Sequence, residues 1–222
     1  MARTTLPTGT VAEVVRPAGE ASAGLVIAPD ILGLRPLFDE LVAGVSAENG
    51  WAVGAFEPFP GQESLSVEER VAAMPAMRDD RWVGDAVATA DVLGVDPVGI
   101  IGFCMGGMVT MKAAATMRFH RAVPFYGMVR NPGGWRSESN HDAIDVLAST
   151  PGAAERVLAV MGTADPYTPA DDVADLEAAG ATIARYEGAE HGFVHDPARP
   201  AHRPDDAADA WRRAIDWLSS GP

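Results

Sequence analysis

Beginning at residue 24, short apolar runs alternate with longer segments of helical period, a pattern that few architectures accept. Residues 24–28 (G-L-V-I-A), 51–56, 98–101, 122–126, 156–161 and 182–186 read as strands. Between them, residues 36–48 carry Leu37, Leu41, Val42 and Val45 at helical spacing, and residues 82–93 place Val83, Val87, Ala90 and Leu93 on one face. Residues 67–77 read as a helix stopped or kinked near Pro75. Residues 105–117, 170–179 (closed by Gly180) and 205–218 read as further helices. Such alternation predicts an α/β fold with a mostly parallel central sheet and helices on both faces. The polar segment 129–152 reads as an insertion with a short helix at 143–148, and the proline-bearing stretch 195–204 as loop. No repeat or linker interrupts the pattern, so residues 1–222 are expected to form a single domain.

Composition narrows the functional classes. The formal net charge of −14 argues against nucleic acid, which needs a basic face to neutralise phosphates. No run approaches the roughly 18 apolar residues of a membrane span. The first residues lack the apolar core of a secretory signal, so the expected compartment is the cytoplasm and no membrane partner is expected. One cysteine cannot close an internal disulfide, so the fold does not depend on oxidation.

That cysteine, Cys104, stands in G-I-I-G-F-C-M-G-G, residues 99–107, where a strand runs into a helix. This is the setting of a nucleophile elbow, with Cys in place of the usual Ser. The turn is too tight for side chains two residues either side of the nucleophile, which accounts for Gly102 and Gly106. At a helix N-terminus the positive end of the dipole favours a thiolate. The backbone N–H of Met105 can donate to an oxyanion. The competing reading is a small buried cysteine at a glycine-rich strand end.

Two later segments favour the catalytic reading. In M-G-T-A-D-P-Y-T-P a strand ends at Gly162 and Asp165 follows it; in E-G-A-E-H-G-F, His191 follows the last strand. Catalytic groups of open α/β sheets lie at the C-terminal ends of strands. The chain order Cys104, Asp165, His191 is nucleophile, acid, base, the order of hydrolases with an elbow. His191 would take the thiol proton or stabilise the thiolate, and Asp165 would orient the imidazole and stabilise its cation. Among the aromatics Trp82, Trp135, Phe38, Phe59 and Tyr126, Tyr126 follows a strand end and is the best candidate for a pocket wall. His195, Asp196 and His202 do not make a convincing metal site, since no cysteine supports them and prolines interrupt them.

These motifs resemble the dienelactone hydrolase (carboxymethylenebutenolidase) family. G-F-C-M-G-G, M-G-T-A-D-P-Y-T-P and E-H-G-F are similar to its cysteine, aspartate and histidine segments. P-D-I-L-G-L (29–34) and E-P-F-P-G (57–61) resemble two earlier stretches, and the likeness runs from about residue 24 to 218. The resemblance implies an α/β-hydrolase fold that cleaves an ester or lactone through an acyl-cysteine, with no metal or organic cofactor. It implies that the N–H of Ile31 contributes to the oxyanion hole and that Asp30, where the family has Glu, lies near the cysteine. Four residues past the histidine, where the family holds a substrate carboxylate with arginine, this chain has His195, which lacks the bidentate fork. Asp30, Tyr126 and His195 are therefore the candidate substrate-binding residues. Arg70, Arg78 and Arg81 are candidates for a second arginine. An uncharged ester, or one charged elsewhere, is expected as readily as a dienelactone.

Other readings stay open. A thioesterase or general carboxylesterase could use the same triad. A non-catalytic α/β-hydrolase-like protein could bind a small molecule in the same cleft. An amidotransferase-like fold would want His-x-Glu near the C-terminus, but His191 is followed by Gly192 and Phe193. The natural substrate and the oligomeric state are not written in these motifs.

Overall fold

A computed structural model describes residues 2–221. Eight strands form one sheet: β1 (Ala2–Thr5), β2 (Val11–Val15), β3 (Gly24–Ala28), β4 (Ala52–Phe56), β5 (Val98–Phe103), β6 (Ala122–Phe125), β7 (Leu158–Gly162) and β8 (Thr182–Tyr186). Their spatial order is β1-β2-β4-β3-β5-β6-β7-β8. The pairs β1–β2 and β2–β4 are antiparallel, and every pair from β4 to β8 is parallel. This is the expected α/β-hydrolase architecture, with the crossover helices on both faces.

The helices are α1 (Pro36–Asn49), α2 (Val67–Ala73), α3 (Asp79–Leu93), α4 (Met105–Ala114), α5 (Ala143–Ala148), α6 (Ala170–Ala178) and α7 (Pro204–Ser219). Strands β3 and β5 are buried on both faces, so their side chains divide the core in two. Leu25, Ile27, Ile101 and Phe103 meet Phe38 and Val42 of α1 and Ala210 and Ala214 of α7. Val26, Ala28 and Ile100 meet Trp82 and Ala86 of α3 and Met108 and Val109 of α4. The helix expected over 67–77 stops where Pro75 falls: α2 ends at Ala73 and a 3₁₀ turn covers Met74–Ala76. Proline cannot donate to the preceding turn and its ring crowds the carbonyl four residues back. Strands β1 and β2, absent from the sequence reading, pair antiparallel on one edge. No described helix is long and apolar enough to cross a membrane.

The crossing of β5 into α4 positions everything that follows. A Cβ on Gly102 would stand 2.2 Å from the carbonyl oxygen of Gly106, and one on Gly106 would stand 2.0 Å from that of Ala28. Helix α4 therefore begins in backbone contact with the end of β3, a distance that only glycine permits. This contact sets Cys104 and residues 28–31 side by side.

Two glycine substitutions separate close approach from helix propensity. Gly106→Ala is expected to destabilise the protein by about 3 kcal/mol or more, because backbone must move to admit the methyl. Gly84→Ala, inside α3 with nothing within 4 Å of the new methyl, is expected to stabilise it by about 0.5–1 kcal/mol. Chemical denaturation of the two variants against wild type measures both.

Candidate active site

Cys104 is the residue between β5 and α4, with φ 56° and ψ −118°. Such a backbone is strained for a non-glycine residue. It is held from both sides: Cys104 N–H donates to Phe125 O at 3.1 Å, and Cys104 O accepts from the N–H groups of Gly107 and Met108. The side chain is half-buried and lines a cavity of about 410 Å³. Met105 is the first residue of α4, where an N–H has no intrahelical acceptor.

His191 lines the same cavity. Its Nδ1 lies 2.7 Å from Oδ2 of Asp165, which is buried and follows β7. With Nδ1–H donating to the carboxylate, Nε2 is left for Cys104. Asp165 is fixed in turn, since its Oδ1 accepts from Tyr167 N–H at 2.8 Å. Burial opposes the imidazolium of His191. The Asp165 hydrogen bond, then the hydrogen bond and charge of Cys104, outweigh that and raise its pKa to about 9. The structure thus brings together three side chains from the ends of three different strands.

Asp30 lies at the start of the loop after β3 and its carboxylate is fully engaged. Arg35 binds it in bidentate fashion at 2.7 and 2.9 Å, Leu32 N–H donates to Oδ1 at 3.0 Å, and His195 Nε2 lies 2.8 Å from Oδ2. Burial raises its pKa, but the hydrogen bonds of His195 and Arg35 hold the carboxyl well below the usual range. His195 goes the other way: burial outweighs the Asp30 contact and lowers its pKa, so it is a neutral imidazole. Its Nε2–H donates to Asp30 and its Nδ1 accepts from Tyr126 O–H at 2.5 Å. Burial pushes the Tyr126 phenol well above its ordinary value, so it keeps that proton. Of the three candidate substrate-binding residues, only Asp30 lines the cavity; Tyr126 is fully buried and the side chain of His195 is as well. They stand behind the cavity as a hydrogen-bonded chain, Tyr126–His195–Asp30–Arg35. Ile31 does line the cavity, and the hydrogen bonds that fix its turn use the N–H groups of Leu32, Gly33 and Leu34, not its own.

None of the three candidate arginines reaches the cavity. Arg70 is buried and donates to the carbonyls of Ile31, Glu63 and Leu65. It thereby ties α2 to the turn that carries Ile31. Arg78 pairs with Asp80 at the surface, and Arg81 pairs with Asp85 and donates to Thr10. Trp135 does line the cavity, while Trp82, Phe38 and Phe59 are core. The sequence reading missed Leu32, Val67, Val71, Met128, Tyr167, Asp196 and Arg199, all of which also line it. Val67 and Val71 sit four apart on one face of α2, a signal that was present but that reads equally as core spacing.

The loop that brings Met128 and Trp135 is anchored behind α4. Lys112 of α4 is buried and donates to Asp79 at 2.6 Å and to Asn140 at 2.9 Å. Asn131 and Asp142 join the same set, since Asn131 N–H donates to Asp142 and its amide to Asn140. Among the described residues no group of His, Cys, Asp and Glu could hold a metal ion.

Comparison with known proteins places this geometry in context. The family model described as "Dienelactone hydrolase family" matches residues 11–221. The chain is 26% identical over 208 residues to a carboxymethylenebutenolidase of Rhodococcus opacus, covering 87% of this chain and 79% of that one. It is 24% identical over 227 residues to the carboxymethylenebutenolidase homolog of Mus musculus, covering 94% and 86%. Among solved structures, a dienelactone hydrolase-like promiscuous phosphotriesterase from metagenomic libraries superposes with a TM-score of 0.76 at 19% identity, covering 98% and 96%. That likeness is one of fold.

The raised pKa of His191 has a consequence for stability. Its folded value of about 9 lies above the ordinary 6.5, so the contribution is complete below pH 6.5 and is lost as pH climbs to 9. Stability is expected to fall across that window by roughly 3 kcal/mol in wild type, and by much less in His191→Gln. Denaturant titrations at stepped pH measure the difference.

Proposed function

The chain belongs to the dienelactone hydrolase family, and on that footing we propose that it cleaves a carboxylic ester or lactone through a Cys104–His191–Asp165 triad and an acyl-cysteine intermediate. Hydrolysis of carboxylic esters or lactones is the family's activity; the triad and the intermediate are the reading put forward here. The observation that carries it is the 2.7 Å contact of His191 with buried Asp165, in a cavity that His191 shares with the strained elbow of Cys104.

In the first half-reaction, the sulfur of Cys104 attacks the carbonyl carbon as a thiolate, its proton having passed to Nε2 of His191. A C–S bond forms, and the carbonyl π pair moves onto oxygen. The N–H groups of Met105 and Ile31 receive that oxyanion. Its collapse breaks the C–O bond, and the leaving oxygen takes the proton from His191. A lactone opens at this step and remains attached through its acyl carbon. In the second half, His191 takes a proton from water as the water attacks the thioester. The sulfur then leaves as thiolate and the carboxylic acid departs. Asp165 keeps Nδ1–H in place and stabilises the imidazolium at both stages. Asp30, held by Arg35 and His195, acts on the geometry of the Ile31 turn rather than on the thiol.

The test is turnover of 4-nitrophenyl acetate with labelling by iodoacetamide. Wild type is expected to release nitrophenolate and Cys104→Ala to show none; equal rates in the two overturn the triad. His191→Ala is expected to lower kcat by about 10³-fold, as in other triads. A loss under about tenfold points to a different base.

A further inference from the structure

Large apolar side chains stand exposed at five places among the described residues: Leu32, Val67, Val71, Met117 and Tyr167. Four of these, all but Met117, line the cavity that holds Cys104 and His191, at 39–53% exposure. Side chains of this kind remain at a surface without penalty singly, but gathered in a concave site they mark where an apolar ligand group is removed from water. Ile31, Met128 and Trp135 extend the same lining.

The polar groups of the cavity are few, and most are committed. Asp30 is neutralised by Arg35 and bound to His195. Cys104 and His191 serve the chemistry proposed above. That leaves Asp196 and Arg199. Arg199 forms no ion pair among the described residues, but it lies flat against the backbone of Gly192, so close that a Cβ there would stand 2.7 Å from its Cζ. An anionic substrate would meet this half-buried arginine together with the carboxylate of Asp196, while the charges of Asp30 and Arg35 cancel. Charge therefore gives it little advantage, and the apolar lining decides.

From these placements we infer that the substrate is an uncharged ester or lactone whose acyl part is an extended apolar group seated on α2 and the Ile31 turn. The inference rests on the triad reading. The orientation follows from the chemistry: the leaving oxygen takes its proton from His191, so the leaving group lies toward His191. Tyr167 meets that imidazole edge-on with centroids 4.9 Å apart, and Arg199 covers Gly192 beside it. The acyl part is left to the elements that flank the oxyanion hole, where Ile31, Leu32, Val67 and Val71 present their side chains. The wall is held in register by Arg70, whose guanidinium donates to Ile31 O from within α2, and by the capping box of Ser66 and Glu69. Specificity for the acyl chain is thus assigned to a short helix that carries none of the proposed catalytic groups.

The experiment compares 4-nitrophenyl acetate, butyrate, hexanoate and hydrogen succinate on wild type and on Val71→Asp, with Val71→Ser as the milder variant. Each buried methylene is a gain of about 0.8 kcal/mol at most, or roughly fourfold in kcat/KM, and a partly open wall realises part of it. The expected result is a rise in kcat/KM of at least about fivefold from acetate to hexanoate, with butyrate ahead of the hydrogen succinate of equal length. In the Val71 variants the hexanoate-to-acetate ratio is expected to fall by at least half. A smaller rise in wild type, a hydrogen succinate that matches or beats butyrate, or a ratio preserved in both variants overturns the assignment. If those results come with acetate turnover that still requires Cys104, the apolar-acyl assignment alone is lost. Absence of Cys104-dependent turnover of every ester overturns this inference and the triad together.

Discussion

The backbone contact between the first turn of α4 and the end of β3 is the constraint on which the cavity depends. Gly106 brings α4 against the carbonyls of Ala28 and Pro29, closer than any side chain would allow. The same contact forces Cys104 into a positive φ, points it out of the sheet and sets the 30–33 turn alongside it. Parallel strands β5, β7 and β8 then bring their C-terminal ends to one edge of the sheet, where Cys104, Asp165 and His191 follow them and His191 meets Asp165. The geometry of the proposed triad follows from main-chain packing before any side chain is chosen.

A second layer of polar contacts lies under the cavity floor. Tyr126, His195 and the Asp30–Arg35 pair come from three separate places in the chain and form one series of hydrogen bonds. Each member has its partner, and the only formal charges, on Asp30 and Arg35, cancel. Burial alone would leave such groups costly; satisfied in this way they rigidify the turn that carries Ile31. Phe103 stacks on the ring of His195 with centroids 4.6 Å apart, so the series is also clamped by the core of β5.

Periodicity made the parallel part of the fold legible because β3, β5 and β7 are buried on both faces and bounded by glycine or proline. Strands β1 and β2 escaped because A-R-T-T and V-A-E-V-V are short and partly polar, and their pairing on a sheet edge is a tertiary fact. The three groups assigned to the triad stood out because each combines a rare residue type with a strand end. The lining of the cavity did not. Val67 and Val71 have the spacing of core residues, and only the packing around α2 leaves them exposed. Tyr126 has the position of a pocket residue, right after a strand, but a φ of 40° carries it under the floor, where it meets His195. Sequence spacing carries which end of the sheet a residue occupies; it does not carry which way the side chain turns from there.

The anchoring of the 129–142 loop has an evolutionary reading. Its base is secured to α4 by Lys112 through Asn140 and Asp79, and internally by Asn131 and Asp142, while a Cβ on Gly133 or Gly134 would meet nothing within 4 Å. Trp135 hangs from this loop over the cavity. Insertions or replacements near its tip can therefore be absorbed without disturbing helix α4, and descendants of this chain can drift toward larger or smaller molecules while the elbow stays the same.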